Sequence, residues 1–384
     1  MDDDQWPRVL IASTFTVLRR LATAAALYAE VYNPGHTPTT DNPLRLGIDA
    51  FSLNWQGWTA VETLEYAARL GVDNVQFSER GFLDSLEVGY LHELRARADE
   101  LHLSIEVGMR SFDRFSSMFD ASLGSGKQQL VEMIDVAVAC RSPVVRCFLG
   151  GVAERLGPPP IDQHLEECVR VLRAVVPYAQ THGVKIAVEN HGGVDLLARE
   201  LRDLVAAVGS DYVGVCLDTG NPTYAAEDPL LTSEVLAPYT LTTQVRDTRV
   251  WATEHGAMAQ WVPIGEGNVG IEAVIDYLAA HAHSAPINLE VITGRAPREL
   301  HYVDLGSEFW RMYPGMLARD FVRFATRAAR AAAQPFEQLV LPTGSMAPPA
   351  DQLEPFRAQQ RQHLERSVRW CQDHLGAPAE RRTS

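Results

Sequence analysis

Residues 184–221 read VKIAVENHGGVDLLARELRDLVAAVGSDYVGVCLDTGN, and this stretch decides the fold. It begins with a β-branched run at Val184–Glu189, continues as an amphipathic pattern over Ala198–Val208, and ends in a second apolar run at Tyr212–Leu217. Gly209 follows the amphipathic pattern at a position typical of glycines that end helices. A strand, a helix and a second strand in this order predict a βαβ unit with parallel strands.

The same alternation extends over the chain from residue 44 to residue 333. Eight apolar or β-branched runs predict strands at Arg45–Ala50, Asn74–Phe77, Leu103–Val107, Val144–Leu149, Val184–Glu189, Tyr212–Leu217, Leu241–Val245 and Ile287–Val291. Eight longer patterns predict helices at Ala60–Leu70, Gly89–Leu101, Gln128–Ala139, Gln163–Thr181, Ala198–Val208, Leu231–Leu236, Ile271–Ala282 and Phe309–Ala332. This count predicts an α/β fold, a (β/α)₈ TIM barrel. A doubly wound open sheet is the alternative, although no G-x-G-x-x-G motif follows the first strand.

Segments of different composition flank the predicted barrel. We predict three parts: residues 1–43 as an N-terminal helix and linker, residues 44–333 as the catalytic barrel, and residues 334–384 as an extended arm with a C-terminal helix. Gln334–Pro355 contains five prolines, as expected of an extended segment. Phe356–Leu375 carries an apolar stripe, which favours a helix packed on the barrel or on a second subunit. We expect a homo-oligomer.

Charge and cysteine content exclude several classes of protein. The chain has 34 basic and 49 acidic residues, a net charge of −15, which disfavours nucleic acid as a partner because phosphate contacts need a concentrated basic surface. Five scattered cysteines without a C-x-x-C pair indicate reduced thiols and a cytoplasmic protein. Val9–Val31 is apolar, but Arg19 and Arg20 at its centre argue against a membrane span. A cleavable signal peptide is the alternative for this segment.

Three acidic residues follow predicted strands at the end where TIM-barrel active sites lie. Glu189, Asp218 and Glu290 end the fifth, sixth and eighth strands, respectively. Three ionised carboxylates in one cavity repel each other unless a cation lies among them or some are protonated. The pattern therefore predicts a divalent metal site. Oxygen ligands favour Mg²⁺ or Mn²⁺, and an added imidazole would extend the choice to Co²⁺ or Zn²⁺.

Five further residues are predicted to bind a substrate at this end of the barrel. His191 shares a strand face with the first carboxylate, although an ordinary buried histidine is the alternative. Arg146 lies in a buried strand and needs an anionic partner, either a carboxylate ligand or a substrate acid. Arg246 could hold an anion bidentately or pair with its neighbouring aspartate. Glu106 is placed at the end of the third strand, and Trp261 could stack on a sugar or simply pack in a loop.

The runs IAVENHGG, VGVCLDTGNP, TTQVRDT, IGEGNVGIE and INLEVI, within Leu44–Ala333, resemble the xylose isomerase-like TIM-barrel superfamily of sugar isomerases and epimerases. The resemblance implies that Glu189, Asp218, Gln244 and Glu290 hold the metal. In that family a histidine usually stands where this chain has Gln244. Glutamine coordinates through a neutral, harder amide oxygen, so we expect a site shifted toward Mg²⁺ or Mn²⁺, or a weakened one.

The resemblance also implies a chemistry. Glu189 and Glu290 would move a proton on the carbon next to a carbonyl, through an enediolate, in a sugar isomerase or epimerase. A lyase on the same barrel is the alternative, namely a decarboxylase, dehydratase or C-glycoside-cleaving enzyme acting on a 3-oxo sugar or sugar acid. Arg146 and Arg246 would favour the acidic substrate. A non-catalytic binding subunit is the remaining hypothesis.

Overall fold

The computed structural model of the protein describes residues 45–282 and 284–374, so the predicted helix and linker of residues 1–43 lie outside the described residues. The strands are β1 Leu46–Asp49, β2 Asn74–Phe77, β3 Ser104–Ser111, β4 Val144–Phe148, β5 Lys185–Glu189, β6 Val213–Asp218, β7 Thr240–Gln244, β8 Asp247–Ala252, β9 Ala257–Val262, β10 Ile287–Leu289 and β11 Arg298–Leu300. One parallel sheet has the order β10-β1-β2-β3-β4-β5-β6-β7. Val245 pairs with Leu289 in parallel, which closes the sheet into the predicted eight-stranded barrel.

Helices surround the barrel, and several of their termini carry sequence signals typical of helix ends. They are α1 Ala60–Leu70, α2 Val88–Glu100, α3 Gly126–Cys140, α4 Ile161–His182, α5 Ala198–Val208, α6 Pro229–Leu236, α7 Ile271–His281, α8 Glu308–Met312, α9 Ala318–Arg330 and α10 Leu353–His374. Thr59 and Glu62 form a capping box at the start of α1. Gly71, Gly183 and Gly209 follow α1, α4 and α5 with φ of 71°, 67° and 71°, the left-handed conformation expected there.

A second sheet, antiparallel and three-stranded, stands at the carboxyl-terminal side of the barrel in the order β11-β9-β8. It contains Trp251 on β8 and Trp261 on β9, so Trp261 lies in a strand and not in a loop. Buried side chains of β8, β9, β11, α8 and α9 form a separate hydrophobic cluster. The single helix predicted for Phe309–Ala332 is wrong, because the chain turns at Pro314 and Gly315 and continues as two helices.

The helix that covers β10 is not the one that follows it in the chain. α10 contacts α1, where Gln372 Nε2 donates to the Leu70 carbonyl at 2.9 Å. It also contacts the segment that leads into α7, where the Ile264 N–H donates to Ser367 Oγ at 3.0 Å. The buried face of α10, which includes Leu364, joins the main core. α10 therefore fills the gap between α7 and α1 and occupies the place of the eighth barrel helix.

All five cysteines are buried and unpaired. Across residues 45–282 and 284–374, no helix combines the length and the apolar character that a membrane crossing requires. The cytoplasmic location stays a prediction.

Candidate active site

Three carboxylates meet at the carboxyl-terminal mouth of the barrel. Glu189 ends β5, Asp218 ends β6 and Glu290 directly follows β10. One oxygen of each lies within 4.8 Å of the others, and all three side chains are buried. The backbone N–H groups of Gly220 and Asn221 donate to Asp218 Oδ1 at 2.8 and 2.6 Å, which leaves Oδ2 for the cluster. The structure thus brings together the three acids selected from the sequence.

Two buried arginines pair with these carboxylates. Arg146 Nη2 contacts Glu189 Oε2. Arg246 Nη2 lies 2.9 Å from Asp218 Oδ2 and also contacts Glu290 Oε2. Both guanidinium groups are therefore already paired with protein carboxylates, which is one of the two roles predicted for Arg146, and a contact with an acidic substrate stays a prediction. Their role in the structure is to hold the acids close together.

Gln244 lies beside Asp218 in the β6–β7 register and presents a free oxygen to the interior. Its Nε2 donates to Asp49 Oδ2, while Asp49 Oδ1 accepts hydrogen bonds from Ser78 Oγ at 2.7 Å and the Phe51 N–H at 2.8 Å. Because an ionised carboxylate only accepts, the amide of Gln244 turns its NH₂ toward Asp49 when Asp49 is ionised. Gln244 Oε1 is then buried with no hydrogen-bond partner among the described residues. A cation would satisfy this oxygen, so the donor set fits a metal.

The charges of the site also fit a divalent cation. Four buried carboxylates, Asp49, Glu189, Asp218 and Glu290, face two guanidinium groups, which leaves a net charge of −2 when all are ionised. Burial and the nearby charge of Glu290 raise the pKa of Asp49 to about 7. Burial likewise raises the pKa of Asp218 to about 7 and that of Glu189 well above its usual range. The cluster thus holds its full negative charge poorly without a further cation.

His191 is neutral and has a defined tautomer. Its Nδ1 lies 2.6 Å from the Gly150 carbonyl, and its ring stacks on Phe148 with the centroids 3.7 Å apart. A carbonyl only accepts, so Nδ1 carries the proton and Nε2 is left as an acceptor. Burial lowers the pKa of His191 well below its usual value. The residue can therefore accept a hydrogen bond from a hydroxyl group.

A cavity of about 120 Å³ opens onto this cluster. Trp261 stands in its wall, with the Arg246 guanidinium carbon 4.6 Å from the ring centroid and the Tyr224 ring at its edge. The indole Nε1 is buried without a hydrogen-bond partner among the described residues, so it is available to a ligand. The cavity wall also includes Arg146, His191, Asn221, Arg246, Glu290 and Arg295. Four of the five predicted substrate contacts therefore line it.

Glu106 is the exception. It lies inside the barrel below the cavity, and its Oε2 accepts hydrogen bonds from Gln76 at 3.0 Å, Thr242 at 2.6 Å and Asn288 at 2.9 Å. The sequence pattern ended the third strand at Val107, but β3 continues to Ser111. The predicted rim position was therefore several residues too early along the strand, and a direct substrate contact for Glu106 is wrong.

Three residues of the site were not selected from the sequence. Asp49, the last residue of β1, orients Gln244. Asn221, at the end of the LDTGN run, donates from Nδ2 to Glu189 Oε1 at 3.2 Å. Arg295 reaches the cavity from the loop after β10. Asp49 ends a barrel strand and the other two follow one, and that position was the signal that could have found them.

Comparison with known proteins agrees with this fold. A family model described as xylose isomerase-like TIM barrel matches residues 64–313, about two thirds of the chain. The 3-oxo-isoapionate decarboxylase of Pectobacterium atrosepticum is 23% identical over 251 residues, which cover 63% of this chain and 82% of that protein. D-psicose 3-epimerase from Clostridium cellulolyticum superposes with a TM-score of 0.53 at 16% identity, covering 74% of this chain and 96% of the other. A xylose isomerase domain protein from Planctomyces limnophilus superposes with a TM-score of 0.52 at 20% identity. The match covers 65% of this chain and 91% of that protein.

The chain therefore belongs to the xylose isomerase-like TIM barrel family. The relatives with named activities are enzymes, an epimerase and a decarboxylase.

Proposed function

We propose that this protein is a divalent-metal-dependent sugar isomerase or epimerase that moves a proton on the carbon next to the carbonyl of a small polyhydroxylated substrate. The observation that carries the proposal is the buried cluster of Glu189, Asp218 and Glu290, together with the unpaired oxygen of Gln244. These four side chains would hold the metal. Mg²⁺ or Mn²⁺ suits a donor set made only of oxygen atoms.

Each side chain of the site has its own role in the proposed reaction. A bound divalent cation would stabilise negative charge that develops on the substrate oxygens. Glu189 and Glu290 come from different sides of the mouth, and each can remove or return a proton at a carboxylate oxygen. His191 Nε2 accepts from a substrate hydroxyl, and Trp261 Nε1 donates to a substrate oxygen. Arg246 orients Glu290 through their ion pair.

Deuterium exchange tests the proposal. The Mn²⁺-loaded protein is incubated with D-tagatose or D-fructose in deuterium oxide, and NMR follows the loss of the proton next to the carbonyl. We expect exchange with the wild type, and at least a 100-fold slower exchange with Glu290→Gln, because a positioned acid or base contributes about 10²–10⁴-fold.

The exposed arginine Arg311 provides a matched control, since Arg311→Gln changes a charge on α8 away from the cavity. This variant should exchange at the wild-type rate. Unchanged exchange in Glu290→Gln would refute its role as acid or base. A protein that binds no Mn²⁺ in calorimetry and exchanges no deuterium would instead be the non-catalytic subunit.

A lyase is the second candidate, and the similarity to a 3-oxo-isoapionate decarboxylase favours it. Loss of carbon dioxide from a 3-oxo acid leaves the same kind of enediolate that proton removal would form, so the same carboxylates and cation would serve. Release of carbon dioxide from 3-oxo-isoapionate, measured in a coupled assay, would assign the protein to this class. Proton exchange without release would assign it to the isomerases.

A further inference from the structure

We propose that Arg295 binds a carboxylate group of the substrate, so that the protein prefers a sugar acid to a neutral sugar of the same size. The proposal rests on the proposed function, because it places the anion in the same cavity as the carboxylate cluster. It adds a substrate class and a residue that recognises it.

Arg295 lines the cavity wall, and within residues 45–282 and 284–374 no carboxylate neutralises it. Among the described residues it forms no ion pair. In the described part of the chain, the hydrogen-bond acceptors of its guanidinium group are the carbonyl of Ser345, at 3.3 Å from Nη1, and the sulfur of Met346, at 3.4 Å from both Nη1 and Nη2. Both partners are uncharged, so the positive charge is available to a ligand. Burial and the nearby charge of Arg246 lower the pKa of Arg295, as expected of an uncompensated cation.

This contrasts with the other two arginines of the cavity. Arg146 and Arg246 are each in contact with a carboxylate of the cluster. An incoming anion would have to compete with those carboxylates at either position. At Arg295 an anion would find a half-buried guanidinium group with no competing carboxylate among the described residues. Folding has already removed part of its water, so binding an anion requires less further desolvation.

The C-terminal arm positions Arg295. Gln338 Nε2 donates to the Arg295 carbonyl at 3.1 Å, and Gln338 Oε1 accepts from the Gly294 N–H at 3.1 Å. The Leu341 N–H donates to the Gly294 carbonyl at 2.9 Å. Together with the contact to Ser345, these bonds fix both the backbone and the side chain of the loop after β10. The arm lies beyond residue 313, where the match to the family model ends. The Arg295 guanidinium group is therefore positioned by a segment outside the matched region.

A carboxylate suits this position better than a phosphate. One guanidinium group offers two parallel N–H donors, which match the two oxygens of a carboxylate. A phosphate commonly adds a lysine or several backbone N–H groups. The chain has only two lysines, Lys127 and Lys185, and neither lines the cavity.

Binding of matched four-carbon probes tests the proposal. L-Threonate and its neutral amide, L-threonamide, are titrated by calorimetry into the Mn²⁺-loaded protein. We expect the wild type to bind threonate about tenfold or more tightly than threonamide, and Arg295→Gln to reduce the ratio to about twofold or less without weakening threonamide. Arg295→Lys should keep part of the preference. The control Arg311→Gln should keep all of it.

Three results would overturn the proposal: no preference for threonate in the wild type, a preference that survives in Arg295→Gln because the metal alone binds the acid, or tighter binding of erythrose 4-phosphate than of threonate. Mn²⁺ affinity and thermal unfolding, measured for each variant without sugar, show whether Arg295→Gln is folded and metal-competent. Failure of the proposed function would be seen separately, as loss of Mn²⁺ binding or of deuterium exchange in the wild type.

Discussion

Gln244 joins two parts of the site through one amide group. Its nitrogen is held by Asp49 on β1, and its oxygen is left for the interior of the carboxylate cluster. An amide oxygen is neutral and hard, whereas an imidazole at this position would suit transition metals. The preference for a metal should therefore depend on this single position.

The variant Gln244→His tests this dependence. An imidazole nitrogen should raise Mn²⁺ affinity by about tenfold and change Mg²⁺ affinity much less, because softer nitrogen ligands favour the later metal. Calorimetric titration of both ions measures the difference. Thr243→Ser, a neighbouring change on β7, serves as the control. An unchanged Mn²⁺ affinity would show that residue 244 is not a ligand.

At this scale the sequence predicted the carboxylates well and their partners poorly. Glu189 and Asp218 stand directly at strand ends, so the apolar runs before them located both. Glu106 was misplaced because β3 ends four residues beyond its apolar run, at Ser111 rather than Val107. The pairing of Arg146 and Arg246 with acids depends on contacts across the barrel, which no local pattern records.

At the scale of elements, α10 replaces the helix that the repeat would supply after β10. After β10 the chain first forms β11, α8 and α9, which pack on the antiparallel hairpin of β8 and β9. Only then does it return to cover the barrel with α10. The eight barrel strands and α1 to α7 were predictable because each carries its own apolar period or end signals. The hairpin and the position of α10 were not, because they depend on which distant surface each segment covers.

Leu364→Ala tests the role of α10 as part of the barrel. Leu364 is fully buried in the main core, so the variant should lose about 2–5 kcal/mol of unfolding free energy through lost burial and a cavity. Gln362→Ala, at an exposed position of the same helix, should change stability by about 0.5 kcal/mol or less. Urea denaturation measures both. Equal stabilities would show that α10 does not share the unfolding transition of the barrel.

His363 gives α10 a dependence on pH. It is buried against Thr293, and burial lowers its pKa to about 4, below the usual 6.5. The folded protein therefore binds this proton less readily than the unfolded chain, and stability is lost as pH falls from about 6.5 toward 4.

In the variant His363→Gln this loss should disappear. When the pH falls from 7 to 5, the wild type should lose about 2 kcal/mol more of its unfolding free energy than this variant. Urea denaturation at the two pH values measures the change. His301→Gln, which alters a more exposed histidine, should follow the wild type. A constant difference between His363→Gln and the wild type across this range would contradict the assignment.

At the scale of the whole molecule, the chain has a net charge of −15. Only a few of its acidic residues are buried in the candidate site, and these make stability depend on pH. Burial raises the pKa values of Asp49 and Asp218 to about 7, above the usual 3.8. The folded, metal-free protein therefore binds more protons than the unfolded chain, and the stability from these groups is lost as pH rises through about 7.

Metal should reverse this trend. Cation binding needs the ionised carboxylates, so the rise in melting temperature on adding Mn²⁺ should be larger at pH 8 than at pH 6. Thermal unfolding with EDTA or with Mn²⁺ at each pH measures it. Asp218→Asn should abolish the rise at both values. An equal rise at pH 6 and pH 8 in the wild type would argue against these carboxylates as the metal site.

The place of α10 in the barrel has a consequence for biosynthesis. Hydrogen bonds such as that from Gln56 to Gln360 join residues 304 positions apart, so the first and last described parts of the barrel meet only after nearly the whole chain has been translated. Until then, the outer face of β10 lacks its helix and exposes apolar surface. A nascent chain arrested before residue 353 should therefore carry an uncovered stripe that chaperones recognise, whereas release of α10 from the ribosome should remove it.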